Sequence, residues 1–485
     1  MNCMWLRSPL GVRAFLLIAL FGDIAIAGFG STMSWQEQHD QLVGRLHALT
    51  KVEDVFGPAY QPLYHAALPW YEQWGGTPRH SVDDWMISPE EYATELADAL
   101  EHGRNYFAEN PGALLPLVFD QALPGGGSLP TNYWIILPTG FPEKGRVFPL
   151  IISLHGSGWL GHKISYVRKP GKPAAAGRAF EVTPINEGGP WHIDFLNAYL
   201  DRLIQMLPID VNRVYVEGHS LGAMATWEWA LDNPERFAAI SPRAGIGELF
   251  RASRLKHLPA WVIHGADDGV VSRGFSDQMV AALQSCGASV RYSVLKGVEH
   301  NMPDNLDEGQ VVDWYLRQTR SHQPAPVDPL DGLGLTEAGC SPWETIAVAG
   351  GSFWQSGPVQ ITDDNAVRQA AQSLFKKAHD LGELADSPIL QRRDLKTSQV
   401  SLWMATPRTL RPNEGTDSMA TILPSANYVR FYFRGTTQTA IAHLAEITGE
   451  VEAAGHHLSD AVWIVPLTLW QETATGVAEY RVQLK

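Results

Sequence analysis

The stretch that decides the fold is residues 214–230, VYVEGHSLGAMATWEWA. An apolar, strand-like run ends at Gly218, and a helical pattern starts directly after Ser220, with Met224 and Trp227 on one side. A serine between two glycines at a strand-to-helix turn is typical of a nucleophile held on a sharp turn. The five-residue pattern alone is weak. Its weight depends on the segments around it and on an acid and a base farther along the chain.

Segments on both sides of this turn predict a parallel sheet. Apolar runs alternate with helical stretches such as DFLNAYLDRLIQML and SDQMVAALQSCG; the runs are YWIIL, PLIISL, NRVYVEG, FAAISP, PAWVIHG and VRYSVL. Continuous apolar strands separated by helices indicate a mostly parallel sheet with helices on both faces. Residues 121–320 are therefore predicted to form one α/β domain.

A serine hydroxyl is a poor nucleophile at neutral pH, so it needs a base, and the base needs an orienting acid. Downstream of Ser220, the segment WVIHGADDGVV ends a strand with Asp267 and Asp268, and YSVLKGVEHNM ends another with His300. All of these residues follow the C-terminal ends of predicted strands, the edge at which open α/β sheets bind ligands. The order of serine, acid and histidine predicts a catalytic triad, with the acid open between the two aspartates.

The loop SLHGSGW follows the predicted strand over residues 149–154 and supplies candidates for an oxyanion hole. Backbone N–H groups of this loop could join that of Leu221 in holding a developing negative charge. Ser157 is the favoured loop donor and Gly158 the alternative. His219 is expected to shape the turn or the pocket and not to act as the base. Four residues are candidates for the substrate pocket: His155, Trp159, Trp191 and His219.

With these motifs in place, residues 125 to 320 resemble the α/β hydrolases of the esterase and polyhydroxybutyrate-depolymerase-like group. The motifs are YWIILPTGF, PLIISLHGSG, IDVNRVYVEGHSLGAMATWEWA, IHGADDGVV and GVEHNM. In that group the acid stands three positions after the glycine of the HG pair, which implies Asp268, and the histidine closes a GxxH segment, which implies His300. The turn has GHSLGA where relatives often have GxSMGG. That difference does not change the expected reaction class, but it leaves the substrate of the enzyme less well defined.

The resemblance implies hydrolysis of a small-molecule or polymeric ester through an acyl-enzyme, with no cofactor and no metal. A serine peptidase of the prolyl-oligopeptidase type shares the order of the triad. Such peptidases usually carry a large β-propeller before the hydrolase domain, and the predicted helices here do not resemble one. A non-catalytic ligand-binding or sensor protein is the third hypothesis, and the presence of every triad residue disfavours it.

Charge and the first residues bear on partners and location. The net charge of −15 disfavours nucleic acid, because binding phosphates needs a basic surface. Residues 1–27 combine Arg7 and Arg13, a short apolar run and Ala25-Ile26-Ala27, which predicts a secretory signal peptide. We therefore expect a secreted or periplasmic protein with no stable membrane insertion after signal cleavage. A retained membrane anchor is the alternative.

The rest of the chain predicts two further parts and a linker. Residues 34–120 follow a helical pattern and form a predicted helical leader, and the proline-rich residues 321–335 form a linker. Residues 336–485 predict a smaller α+β domain, in which NYVRFYFRGTTQTAIAHLAEI, VWIVPL and EYRVQL weakly resemble the SOUL and GyrI-like effector-binding group. That resemblance implies a small apolar ligand or a protein partner. Cys286 and Cys340 are open to pairing, with unpaired thiols the preferred interpretation.

Overall fold

The structure is a computed structural model, and it describes residues 35–50, 60–65, 67, 86–87, 89–109, 115–122, 128–157, 167–168, 175, 177–185, 191–301, 308–336, 339–360, 364–380, 389–397, 399–405, 420–468 and 476–485. The helices are α1 (Trp35–Thr50), α2 (Pro89–Glu101), α3 (Tyr106–Glu109), α4 (Ile193–Met206), α5 (Leu221–Asp232), α6 (Arg273–Ser285), α7 (Glu308–Tyr315), α8 (Asp364–Asp380) and α9 (Thr437–Ala453). Short 3-10 helices lie at Pro234–Arg236, Leu249–Leu255 and Pro329–Leu333.

The first half of the chain builds a mostly parallel sheet, as the sequence predicts. The strands are β1 (Met86–Ile87), β2 (Leu115–Ala122), β3 (Ser128–Ile136), β4 (Phe148–Leu154), β5 (Val167–Arg168), β6 (Phe180–Pro184), β7 (Ile209–His219), β8 (Ala239–Arg243), β9 (Ala260–Gly265) and β10 (Val290–Leu295). The sheet order is β10-β9-β8-β7-β4-β6-β3-β2, and β1 pairs separately with β5. Neighbouring strands from β10 to β6 pair in parallel, whereas β6–β3 and β3–β2 pair antiparallel.

The central strands are buried because helices cover the sheet. Every residue of β8 and β9 is buried, as expected for parallel strands covered on both faces. On one face, α4 and α5 contribute Leu200 and Trp229 to a cluster with sheet residues such as Val216. On the other face, α7 contributes Val312 and Tyr315 to a second cluster. This packing fixes the edge at which β7, β9 and β10 end.

One boundary of the predicted helical leader is wrong. Residues 115–120 belong to β2, an edge strand that pairs along its whole length with β3. The helical prediction fails there because backbone pairing with a neighbouring strand overrides local pattern. Helices α1 and α2 are joined by Arg45, whose guanidinium binds Asp98 and Glu101 at 2.8 and 2.7 Å.

The last part of the chain forms an antiparallel sheet. Its strands are β11 (Glu344–Val348), β12 (Gly351–Gln355), β13 (Val359–Gln360), β14 (Leu390–Asp394), β15 (Gln399–Ala405), β16 (Ala420–Leu423), β17 (Ala426–Gly435), β18 (Leu458–Pro466) and β19 (Gly476–Leu484). The order is β11-β17-β19-β18-β14-β15-β12-β16, and β13 pairs with β15. Helix α8 packs Leu374 and Phe375 against β15, and α9 packs Leu444 and Ile447 against β17 and β19.

The segment predicted as the linker is tied to the first half of the chain. Asp328 caps the 3-10 helix Pro329–Leu333 by accepting the Leu330 N–H at 3.0 Å, and its other oxygen accepts from the Arg251 guanidinium. Helix α6 of the first half also contacts helix α8 of the second, where the rings of Phe275 and Phe375 meet edge to face with centroids 4.8 Å apart. Cys286 and Cys340 are free thiols.

Candidate active site

Ser220 occupies the turn between β7 and α5 in a backbone conformation that is rare for a serine. Its φ of 56° and ψ of −119° lie outside the regions that residues with a Cβ usually adopt. The Ser220 N–H donates to the Arg243 carbonyl at 3.0 Å, and its own carbonyl accepts from Ala223 and Met224 at 2.9 and 3.1 Å. These bonds hold the strained turn, as is common at functional sites.

Two glycines make this turn possible. A Cβ on Gly218 would overlap the carbonyl of Gly222, and a Cβ on Gly222 would overlap the carbonyl oxygen of Leu154 on β4. The steric reason for glycine that the sequence pattern suggests is therefore present on both sides of Ser220. The close approach of α5 to β4 brings the start of the helix up to the loop that follows β4.

Three of the predicted site residues meet in one hydrogen-bonded line. His300 Nε2 lies 2.9 Å from Ser220 Oγ, and His300 Nδ1 lies 2.8 Å from Asp268 Oδ2. A carboxylate only accepts, so Nδ1 carries the hydrogen, which leaves Nε2 to accept from the serine hydroxyl. The imidazole is thus oriented to take the hydroxyl proton. Asp267, the other acid left open by the sequence, is exposed and takes no part.

Asp268 is buried and held by four hydrogen-bond donors. Its Oδ1 accepts the N–H groups of Val270 and Val271, each at 2.8 Å. Its Oδ2 accepts from His300 and lies 3.2 Å from Nε2 of His264. Burial alone raises the pKa of this carboxyl, but hydrogen bonds from His264, His300 and the two backbone groups hold the pKa well below its usual range. Asp268 therefore stays ionised beneath the imidazole.

His264 is a site residue whose role sequence reasoning missed. Its ring is fully buried. Nε2 lies 2.9 Å from the Val271 carbonyl and 3.2 Å from Asp268, so Nε2 carries the hydrogen, and Nδ1 accepts from the Ser276 hydroxyl at 2.7 Å. The sequence feature that could have indicated this role is the HG pair, whose histidine stands four residues before Asp268. The sequence alone could not show that this histidine touches the carboxylate.

His219, next to Ser220, supports His300 through the backbone. Its Nε2 lies 2.7 Å from the His300 carbonyl, so it donates to that oxygen, and the two rings are 4.8 Å apart. Burial lowers the pKa of His219. A ring already bonded to a backbone carbonyl fits the predicted role of shaping the turn.

The loop after β4 lies against Ser220. A Cβ on Gly156 would stand only 3.0 Å from the Ser220 Cβ and 3.1 Å from the His219 carbonyl oxygen. Ser157 is the next residue and is exposed. Leu221 is the first residue of α5, where a helix leaves its N–H groups without intrahelical acceptors. Leu221 thus adjoins Ser220 in the chain, and Ser157 follows the glycine that lies against Ser220.

Trp191 steadies that loop. Its Nε1 donates to the His155 carbonyl at 3.2 Å, and the two rings meet edge to face at 5.0 Å. His155 Nδ1 lies 2.9 Å from the Gly156 carbonyl, and burial lowers the pKa of His155. Gly158, the alternative oxyanion donor, and Trp159, a predicted pocket residue, lie outside the described residues, as does the predicted signal peptide.

A buried ion pair lies beneath the turn. Arg243 at the end of β8 donates to Glu217 on β7 at 2.7 Å, and the exposed fractions of these side chains are 9% and 15%. Glu217 also accepts from Ser153 on β4 at 2.9 Å and from Tyr315 at 3.3 Å. The carbonyl of the same Arg243 holds the Ser220 N–H. This network ties β4, β7 and β8 together at the edge that carries Ser220.

Within the part of the chain that the structure describes, no group of three or more histidine, cysteine, aspartate or glutamate side chains is arranged to hold a metal ion. Over those same residues, none of the helices combines the length and apolar character needed to cross a bilayer.

Comparisons with known proteins find similarity among solved structures. No protein-family model matches the chain, and no curated protein matches it. The chain is similar to a thermostable esterase, at 24% identity and a TM-score of 0.36 over 42% of this chain and 63% of that one. It is similar to the acylaminoacyl peptidase of Pyrococcus horikoshii, at 16% identity and a TM-score of 0.34 over 45% of this chain and 44% of that one. It is also similar to a ferulic acid esterase from the anaerobic fungus Anaeromyces mucronatus, at 13% identity and a TM-score of 0.34 over 41% of this chain and 89% of that one. The chain thus spans less than two thirds of the length of the first two proteins.

Proposed function

We propose that this chain is a serine hydrolase of the α/β-hydrolase type that cleaves carboxylic esters through an acyl-enzyme intermediate. The observation that carries the proposal is the position of His300, with one ring nitrogen 2.9 Å from Ser220 Oγ and the other 2.8 Å from Asp268. Nucleophile, base and orienting acid within hydrogen-bond reach of one another define this type of catalysis. The strained turn at Ser220 adds support, because rare backbone angles cluster at functional sites.

The proposed reaction begins when Ser220 Oγ attacks the ester carbonyl carbon and His300 Nε2 takes the hydroxyl proton. The protonated imidazole is stabilised by the ionised Asp268, and it then gives its proton to the departing alcohol. A water molecule enters, His300 takes one of its protons, and the hydroxide attacks the acyl carbon. The proton returns to Ser220 as the acid leaves, so the chain is unchanged after each cycle.

The negative charge that develops on the carbonyl oxygen needs backbone donors beside Ser220. We assign this role to the N–H groups of Leu221 and of Ser157, with Gly158 as the alternative to Ser157. The close approach of Gly156 to the Ser220 Cβ supports the assignment, because it places the loop within contact of the nucleophile. Removing one such donor typically costs about 10²–10³-fold in kcat.

The proposal is tested by hydrolysis of p-nitrophenyl butyrate and p-nitrophenyl octanoate. We expect turnover by the wild type and a loss of about 10⁶-fold in kcat for Ser220→Ala. Ser293→Ala is the matched control, because Ser293 on β10 only accepts from the Trp261 indole at 3.0 Å, and we expect it to keep full activity.

The same assay separates the alternatives. Cleavage of aminoacyl p-nitroanilides without ester turnover would replace the esterase with a serine peptidase. If the folded wild type turns over neither class of substrate, the hydrolase proposal is wrong and a non-catalytic protein takes its place.

A further inference from the structure

A cavity lies between the two halves of the chain, where the segment after β8 and helix α6 meet α8 and the end of β18. Its volume is about 230 Å³. An apolar cavity of about 150 Å³ is already large enough to bind benzene. The apolar walls come from both halves of the chain and include Ile246, Leu249, Phe275, Val367, Leu402 and Leu467. We refer to it as the seam cavity.

A few polar side chains line the seam cavity among these apolar walls. They are Glu248, Gln278, Gln391 and Thr468. Amide and hydroxyl groups both donate and accept hydrogen bonds, so they can orient a ligand that has a polar group of its own. Apolar walls with a small number of polar groups are typical of sites for small molecules.

The charges around the seam cavity are unfavourable for an anion. Glu248, the one ionisable lining residue among those described, accepts from Arg251 at 3.0 Å. The same guanidinium also binds Asp232 and Asp328, and Arg254 lies 3.7 Å from Asp328. Burial, and to a smaller extent the charges of Glu248 and Asp232, raises the pKa of nearby Glu228 to about 7.

A cation gains little in the same place. The carboxylate of Glu248 is almost fully buried and already paired with Arg251. A cationic ligand would lose its hydration without gaining an unpaired carboxylate as a partner, and that desolvation is costly. The charges therefore favour an uncharged ligand.

We propose that the seam cavity binds a small, uncharged, mainly apolar molecule that carries one hydrogen-bonding group, such as an amide or an ester. The apolar walls contact the hydrocarbon part of the ligand. The Gln278 and Gln391 amides and the Thr468 hydroxyl orient its polar end. The ligand lies against Ala371 on α8, the residue before Gln372, whose side-chain amide donates to the Gly269 carbonyl beside Asp268. This inference goes beyond the proposed ester hydrolysis and does not depend on it.

Calorimetric titration of the full chain with octanamide and octanoate tests the proposal, because the two compounds share a chain and differ in charge. We expect octanamide to bind, and octanoate to bind at least about 10-fold more weakly. Equal affinity for the two compounds, or no binding of octanamide, overturns the proposal.

The location is tested by filling the cavity from α8. Ala371 is a buried lining residue, so Ala371→Phe is expected to weaken octanamide binding by at least about 10-fold. Gln369→Phe on the exposed side of the same helix is the matched control and should leave the Kd unchanged. Val367→Phe serves as a second filling variant if Ala371→Phe does not fold. An unchanged Kd in a folded filling variant overturns the assignment to this cavity.

Ser220→Ala separates this inference from the proposed function. We expect it to bind octanamide with the wild-type Kd, since Ser220 does not line the seam cavity. Loss of binding in that variant would place the ligand at Ser220 and overturn the proposal. An inactive wild type that still binds octanamide contradicts only the hydrolase proposal, whereas an active enzyme that binds none contradicts only this one.

Discussion

In the parallel sheet, β7, β9 and β10 all run in the same direction and end at one edge, and Ser220, Asp268 and His300 follow those ends. In the antiparallel sheet, neighbouring strands end at opposite edges, and charged residues pair locally. Glu344 stands directly opposite Arg430 and binds it, and Glu479 binds Arg481 on its own strand. The direction of the strands therefore decides where polar residues gather, because parallel strands bring residues that are far apart in sequence to one edge of the sheet.

The largest expected difference between the two regions is in the response to losing a histidine. His300→Ala removes the base, and we expect kcat to fall by about 10⁴–10⁶-fold with p-nitrophenyl butyrate as the substrate. His443 on α9 also binds a carboxylate, Glu446, at 2.8 Å. His443→Ala is the matched control and should change kcat by less than about 2-fold. Comparable losses in both variants would contradict the comparison.

The two buried acids should differ almost as much. Asp268→Asn cannot accept all four of its donors, so it no longer holds His300 in the required orientation, and we expect kcat to fall by about 10⁴-fold. Glu479→Gln removes a buried acid from the antiparallel sheet, and there we expect lower thermal stability with kcat kept. Full activity in Asp268→Asn would show that the acid does not orient the base.

The contact between α6 and α8 sharpens the comparison, because it brings the antiparallel half close to Asp268. Phe375 is buried against Phe275, and a Cβ on Gly274 would overlap its ring. Phe375→Ala should cost about 3–5 kcal/mol in the free energy of unfolding. It should also lower kcat by about 10-fold, since α8 then no longer supports the turn after Asp268.

Phe353→Ala is the control for that measurement. Phe353 packs against Trp403 in a separate cluster of the antiparallel sheet, with ring centroids 6.0 Å apart. We expect this variant to lose stability and keep its kcat. If both variants have the wild-type kcat well below their unfolding temperatures, the contact at Phe375 does not serve the site.

The smallest expected effect concerns the buried histidine beside Ser220. Burial lowers the pKa of His219, so the unfolded chain takes up a proton near pH 6.5 while the folded chain does not. Stability contributed by His219 is thus present above that pH and is lost as the pH falls through the lowered folded pKa. His219→Gln keeps a side-chain donor, and urea titrations between about pH 7 and 5 should show a shallower fall, by at most about 1.4 kcal/mol per pH unit. An unchanged slope would contradict this expectation.

Much of the parallel half could be predicted from sequence because its signals are local. The apolar strands and the alternating helices predicted the α/β fold class, and the positions just after the strand ends indicated Ser220 and His300 as site residues. The choice of Asp268 over Asp267 needed the family pattern, and burial separates the two in the structure, where Asp267 is exposed. The contact of His219 could not be predicted, because its partner His300 lies on another loop. The contacts of His264 depend on how the segment up to Ser276 folds around its ring, which the local pattern does not specify.

The antiparallel half was less predictable because several of its strands are short or polar. β14 reads LQRRD, yet it lies between β15 and β18, where the Arg392 guanidinium sits 6.0 Å above the Trp463 ring. The mostly apolar run TIAVAGGSFW, residues 345–354, forms two strands, β11 and β12. It breaks at Gly350, where a Cβ would overlap its neighbours in the next turn. The sequence did not predict strands β13 to β16, because local strand propensity is a weak guide where pairing with distant strands determines the structure.

The most direct test of the central claim is labelling of the full chain with a fluorophosphonate, followed by identification of the modified peptide. The proposal predicts one adduct on Ser220 in the wild type, none on Ser220→Ala, and much slower labelling of His300→Ala, because the hydroxyl then has no base. A folded wild type that is not labelled, or equal labelling of Ser220→Ala, would contradict the assignment of Ser220 as the nucleophile.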